Sequence, residues 1–112
     1  MEIKLDFEGF EGSVTMRVAK NSERMRVFGA LGLNLNNLSA DNFEKSFNNF
    51  ETIGMLIERS EPFFVKVDLK SDKRKYKSFE DLEADMNCQS VLIECATKAI
   101  MGLGDTGKKS KS

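Results

Sequence analysis

Apolar and polar residues alternate strictly at the start of the chain. Ile3, Leu5 and Phe7 are interleaved with Lys4, Asp6 and Glu8, and Val14, Met16 and Val18 with Ser13, Thr15 and Arg17. A period of two marks a strand with one buried face. The intervening Gly9-Phe10-Glu11-Gly12 is the expected turn, so the pair reads as an antiparallel hairpin. Phe10 at its tip either folds back onto the sheet or meets a partner.

The period then lengthens. Ser22 is placed to cap a short helix carrying Met25, Phe28 and Leu31, stopped by Gly32. Gly29 inside it costs about 1 kcal/mol relative to Ala, so this helix must lean on the core. Ser39 caps a longer helix that runs to Ser60, with Leu38 and Phe43 as a hydrophobic staple. Phe43, Phe47, Phe50, Gly54 and Ile57 share one face of it, predicted to be core. Ile53, Met55 and Leu56 widen the apolar surface at its carboxyl end, and Met55 and Leu56 point away from the stripe. They are the candidate surface for self-association or a partner, with Phe10 or Phe64 nearby.

Glu61-Pro62 ends that helix. Phe63, Val65, Val67 and Leu69 then alternate with Phe64, Lys66, Asp68 and Lys70 as a third strand. A charged turn leads to a short fourth strand over 75–77, with Tyr76 facing inward. Ser78-Phe79-Glu80-Asp81 opens the last helical region, which Asn87 is placed to interrupt. Val91, Leu92, Cys95, Ala96, Ala99 and Ile100 form its apolar face, and Gly102 ends it. This order predicts an α+β fold. The sheet is small and mostly antiparallel, the N-terminal hairpin plus one or two later strands, with about three helices packed on one face. Residues 1–102 form one domain and 103–112 a flexible basic tail. The other sheet face is left open to a partner strand or a second copy.

Composition narrows the chemistry. The 112 residues include nine Phe, no Trp and no His. Without histidine the chain lacks the commonest general base, the usual partner of a Ser or Cys nucleophile, and a versatile zinc ligand. Cys88 and Cys95, seven apart on a helix, lie about 10 Å apart along its axis, too far for a disulfide and awkward for one zinc. They read as buried thiols. No catalytic residue, metal or cofactor is predicted, and an enzyme would have to use carboxylate or lysine chemistry that nothing in the sequence localises. No run approaches the roughly 18 apolar residues of a membrane span. The first residues are no secretory signal, so the expected location is cytoplasmic.

The net charge of −1 is unevenly spread. Lys70, Lys73, Arg74, Lys75 and Lys77 crowd one turn, and Glu80, Asp81, Glu83 and Asp85 follow where a helix dipole favours acids. The basic group is a candidate nucleic-acid contact. Local pairing is the competing reading, because a nucleic-acid binder carries basic excess across a whole face. Residues 103–112 hold three lysines and one aspartate. With Gly102 they spell G-x-G-x-x-G and come near G-x-x-x-x-G-K-[ST]. A phosphate-cradling loop, however, needs a strand before it and a helix after it, and here a helix precedes the glycines.

Three stretches carry a family resemblance. They are Phe63-Phe64-Val65-Lys66-Val67-Asp68-Leu69, then Ser78-Phe79-Glu80-Asp81-Leu82-Glu83, then Ala99-Ile100-Met101-Gly102-Leu103-Gly104 with the lysine-rich end. Together with the N-terminal hairpin and short helices, the chain resembles the tail assembly chaperones of long-tailed bacteriophages. The resemblance covers most of the chain as an order of elements, without an invariant motif. It implies a non-catalytic protein of the host cytoplasm, absent from the mature virion, that binds the tape measure protein and recruits tail tube subunits. It also implies a ribosomal frameshift, for which the codons of Gly107-Lys108-Lys109 would be an A-rich site. Six methionines suit adaptable apolar contacts. The alternative is a small nucleic-acid-binding regulator using the basic turn.

Overall fold

The N-terminal alternation closes as a hairpin of β1 (Glu2–Phe7) and β2 (Phe10–Met16). The computed structural model describes residues 1–37 and 39–102. The turn is tighter than the glycine spacing suggests. Glu8 and Gly9, at φ 54° and 86°, are its two central residues, the left-handed pair that matches strand twist in a two-residue hairpin. Phe10 is therefore the first residue of β2 rather than the tip of a loop.

β2 pairs next with β3 (Phe64–Lys70), and β3 with the two-residue β4 (Lys75–Tyr76), giving a fully antiparallel sheet in the order β1-β2-β3-β4. Gly12 sits mid-strand at φ 140°, and a Cβ there would lie 2.2 Å from the Asp68 carbonyl oxygen. Only glycine admits so close an approach of two backbones. The register slips between Thr15 and Met16, where Met16 faces Phe64 while Thr15 faces Lys66. Val65 is the extra residue of this bulge and is 64% exposed, so the expectation that it continues the inward row is corrected.

Among the described residues there are five α-helices: α1 (Asn21–Ala30), α2 (Ala40–Ser46), α3 (Phe50–Ser60), α4 (Phe79–Glu83) and α5 (Gln89–Met101). Lys20, not Ser22, holds the N-cap position of α1, and its N–H donates to Glu23 Oε1 at 2.8 Å. Ser39 and Ser78 cap α2 and α4 as expected, accepting from the N–H groups of Asn42 and Asp81. The staple partner Leu38 lies outside the described residues, as does the expected tail 103–112.

The long helix expected over 39–60 is two helices. Phe47 and Asn49 leave helical geometry, and the Asn49 side chain accepts from Thr52 N–H to start α3. Phe43 stays fully buried, edge-on to Phe28 and Phe47 at 5.7 and 5.2 Å. Phe50 does not. As the first residue of α3 it is turned outward and 91% exposed, so its assignment to the core is corrected.

α5 is the central helix, in contact with α3, α4 and β2. All six residues predicted for its apolar face are buried. Its carboxyl end is held by Arg24, whose guanidinium donates to the carbonyls of Ile100 (2.5 Å) and Ala19 (3.2 Å), a cation where the helix dipole favours one. Gly102 then takes the left-handed conformation at φ 72°. Arg17 ties α1 to the sheet. It forms a forked ion pair with Glu23 at 2.9 and 3.0 Å and lies over the Phe63 ring at 5.1 Å.

Candidate interaction surface

The four residues proposed from sequence as a partner surface are not brought together. Leu56 is completely buried. With Ile57 it forms the buried face of α3, so this part of the wide apolar end is core and not a binding face. Phe10 is 5% exposed and packs on Tyr76 at 5.9 Å between centroids. Both are corrected to core positions. Met55 and Phe64 are half-buried, and Phe64 lies against Phe79 at 4.9 Å. Phe10 and Phe64 sit at opposite ends of the β2–β3 ladder, about 20 Å apart at strand spacing.

The exposed apolar residues are others. Phe50, Leu35 and Met86 are 91%, 87% and 82% exposed, and Val65, Met25 and Val18 are exposed to lesser degrees. Of the apolar residues that α1 carries, Met25 is exposed, while Val27 and Phe28 are buried. A cap signal was available for Phe50: Asn48-Asn49 with Thr52 three positions on is a helix start. The regular spacing of the phenylalanines hid it.

The basic turn divides between two sides of the sheet. Lys70 and Lys75 alternate with the buried Leu69 and Tyr76, so they project from the open face. Lys77 joins them there through a 3.0 Å ion pair with Asp68, and Lys70 lies 4.0 Å from Glu11. These side chains border a groove of about 330 Å³ that Gly12 also lines. The rest of the open face is equally mixed, with Glu2, Lys4, Asp6 and Lys66 exposed. The Lys77 ammonium holds the Asp68 carboxyl below its ordinary range.

Lys73 and Arg74 belong to a separate hollow of about 310 Å³ lined also by Glu8, Phe10, Tyr76 and Asp85. Here the Tyr76 hydroxyl donates to Asp85 Oδ2 at 2.5 Å, and the Asn87 N–H to Oδ1 at 2.9 Å. Arg74 covers the Tyr76 ring at 5.2 Å, with its Nη1 3.9 Å from the same carboxylate. Hydrogen bonding from Tyr76 draws the Asp85 carboxyl below its ordinary range, while burial pushes the Tyr76 phenol up to about 12. Burial also raises Cys88, and pushes Cys95 to about 12. At neutral pH the phenol and thiols thus keep their protons and the carboxylate stays ionised. The cluster pins the 71–74 turn and β4 to the start of the α5 region, and none of its members is poised as a nucleophile or base.

Both cysteines are free and fully buried, in keeping with the sequence reading. Among the described residues no group of three His, Cys, Asp or Glu side chains could hold a metal ion. No helix among them is long and apolar enough to cross a membrane. The chain matches no protein-family model, no curated protein and no solved structure.

Proposed function

We propose that this protein is a non-catalytic assembly factor, a tail assembly chaperone of a long-tailed bacteriophage. It holds the tape measure protein in solution and recruits tail tube subunits. The resemblance supplies the family, and the observation that carries the binding role is Phe50. A large aromatic side chain stands 91% exposed on the first turn of a helix that buries Leu56 and Ile57 and half-buries Ile53 and Met55. Leu35 and Met86 add exposed, deformable apolar surface. Such residues suit transient contact with the apolar stripes of long partner helices. The ionisable cluster around Tyr76 and Asp85 is occupied with its own hydrogen bonds, which agrees with a role in binding rather than catalysis.

The nucleic-acid reading has weaker support. Lys70 and Lys77 stand beside Glu11 and Asp68 on the open face, and interleaved acids repel a polyanion. Co-expression tests the main reading. A tape measure protein of a long-tailed phage, as the proposed partner, should accumulate in the soluble fraction with the wild-type chain and fall into the insoluble fraction with Phe50→Asp. Equal solubility with and without the wild-type chain would overturn the proposal.

A further inference from the structure

β3 lies between neighbours of unequal length. β2 pairs with it from Phe64 to Lys70, whereas β4 covers only Leu69 and Lys70. Beyond Tyr76 the chain leaves the sheet: the Lys77 N–H donates to Asp81 Oδ2 at 2.8 Å, and Ser78 caps α4. On that side the first half of β3 has no strand beside it. A groove of about 240 Å³ follows this edge instead, between residues 64–67 and residues 77–80. An uncovered stretch of strand edge is a template for another backbone.

The hydrogen-bond phase of the sheet shows which main-chain groups look into the groove. The Met1 ammonium donates to the Met16 carbonyl and the Met16 N–H to the Met1 carbonyl, both at 2.7 Å. Such pairs recur at every second residue of an antiparallel ladder. Val14 is thus bonded to Ile3, and Val67, opposite Val14, turns its N–H and carbonyl away from β2. The Ser71 N–H, donating to the Arg74 carbonyl at 2.8 Å, gives the same phase from the β4 side. Leu69 and Ser71 find partners there, but Val67 does not. Among the described residues no hydrogen bond reaches its N–H or its carbonyl oxygen. Val67 is also only 3% exposed. A main chain both shielded and unpaired is rare, because it gives up water and gains no bond in return.

One residue of an antiparallel strand offers both the acceptor and the donor that Val67 lacks. Its side chain stands on the same face as Val67, toward Phe64 and Phe79, which pack together at 4.9 Å. An apolar residue fits that place. The residue after it falls opposite Lys66 on the open face. Asp68 is held by Lys77 at 3.0 Å, and no carboxylate among the described residues lies at ion-pair distance from Lys66. An acid is therefore favoured there. We propose that the uncovered edge of β3 takes a short extended segment of a partner protein, added antiparallel, with an apolar residue paired to Val67 and an acidic residue after it. The bulge at Val65 ends the regular ladder beyond this pair, so the contact is short and reversible. Main-chain bonds supply the attraction and the two side chains the selectivity. The site does not involve Phe50 and stands independently of the chaperone reading.

Nuclear magnetic resonance of the isotope-labelled full chain, titrated with the capped tetrapeptide threonine-valine-glutamate-threonine, tests it. The Val67 amide resonance should move downfield, with a dissociation constant at or below about 1 mM. The same peptide methylated on its valine nitrogen keeps every side chain but cannot donate to the Val67 carbonyl. It should bind roughly tenfold more weakly. Lys66→Glu should weaken the glutamate peptide severalfold, and a peptide with lysine in place of glutamate should recover the loss. Phe50→Asp should bind as the wild type does, and the amide spectrum of each variant reports that it is folded. An unmoved Val67 amide at millimolar peptide, equal binding of the methylated peptide, indifference to Lys66→Glu, or loss of binding in Phe50→Asp would each overturn the proposal.

Discussion

Phe43 and Phe50 lie seven positions apart, at the same helical phase in sequence, and the structure assigns them opposite fates. Phe43 is fully buried and touches two aromatic rings edge-on. Truncating it to alanine removes the transfer free energy of a benzyl group and leaves a cavity, together about 3–5 kcal/mol, including edge-to-face contacts of about 0.5–1.5 kcal/mol each. A domain of this size has about 5–15 kcal/mol in total, so Phe43→Ala should remove a third or more. Phe50 has 9% of its surface covered, and Phe50→Ala should cost below about 0.5 kcal/mol. Phe50→Asp should be neutral or slightly stabilising, because an acid in the first turn gains about 0.3–1 kcal/mol from the helix dipole. Urea unfolding of all three variants, followed by circular dichroism, gives the ladder directly. A loss above about 2 kcal/mol in Phe50→Asp would show that Phe50 packs within the domain. The break at residues 47–49 and the exposed binding residue would then both be refuted.

Three further outcomes follow from the geometry. Gly12→Ala should cost about 1–3 kcal/mol or more, since the new Cβ meets the Asp68 carbonyl; an unchanged urea midpoint would show that β2 and β3 are not so close. The Arg17 fork lowers the Glu23 carboxyl from its ordinary 4.5 to about 2. Because the folded value is the depressed one, its stabilising contribution is present above about 4.5 and fades as pH falls toward 2. Melting temperatures over that range should decline less steeply in Glu23→Gln, and parallel curves would sink the assignment. Cys88 and Cys95 should resist a thiol reagent at pH 8 in the native protein and react in denaturant; fast native labelling would contradict their burial.

The strands and the last helix were legible because their side-chain rows match a single period. Ile3 with Leu5, Val14 with Met16, and Val67 with Leu69 follow the pleat, and the α5 face follows the helix without interruption. The serine caps at positions 39 and 78 were readable from local chemistry alone. What escaped were the places where a local backbone irregularity preserves an apparently regular pattern. Phe43, Phe47 and Phe50 keep helical spacing across a break, so a core stripe was read through Asn48 and Asn49. The bulge at Val65 turns one residue outward with no change in composition. The Glu8-Gly9 turn shifts Phe10 from loop into strand, because a non-glycine residue occupies a left-handed position that glycine usually takes. The misplaced binding surface goes with the first of these: α3 starts afresh at Asn49, Leu56 on it is core, and Phe50 is the residue left outside. The basic turn was seen as one cluster because sequence proximity does not show that Lys70, Lys75 and Lys77 share the open face while Lys73 and Arg74 belong to the turn between the strands.

Phe50, the exposed aromatic on α3, is proposed to bind a protein partner while contributing little to the fold. Affinity of the wild-type chain and of Phe50→Asp for a soluble helical segment of a tape measure protein, the proposed partner, measured by titration calorimetry at matched concentrations, addresses both halves together. The wild type should bind measurably, the variant should lose about 2 kcal/mol or more, and their melting temperatures should lie within about a degree or two of each other. Equal binding by the two proteins, or none by either, would contradict that role.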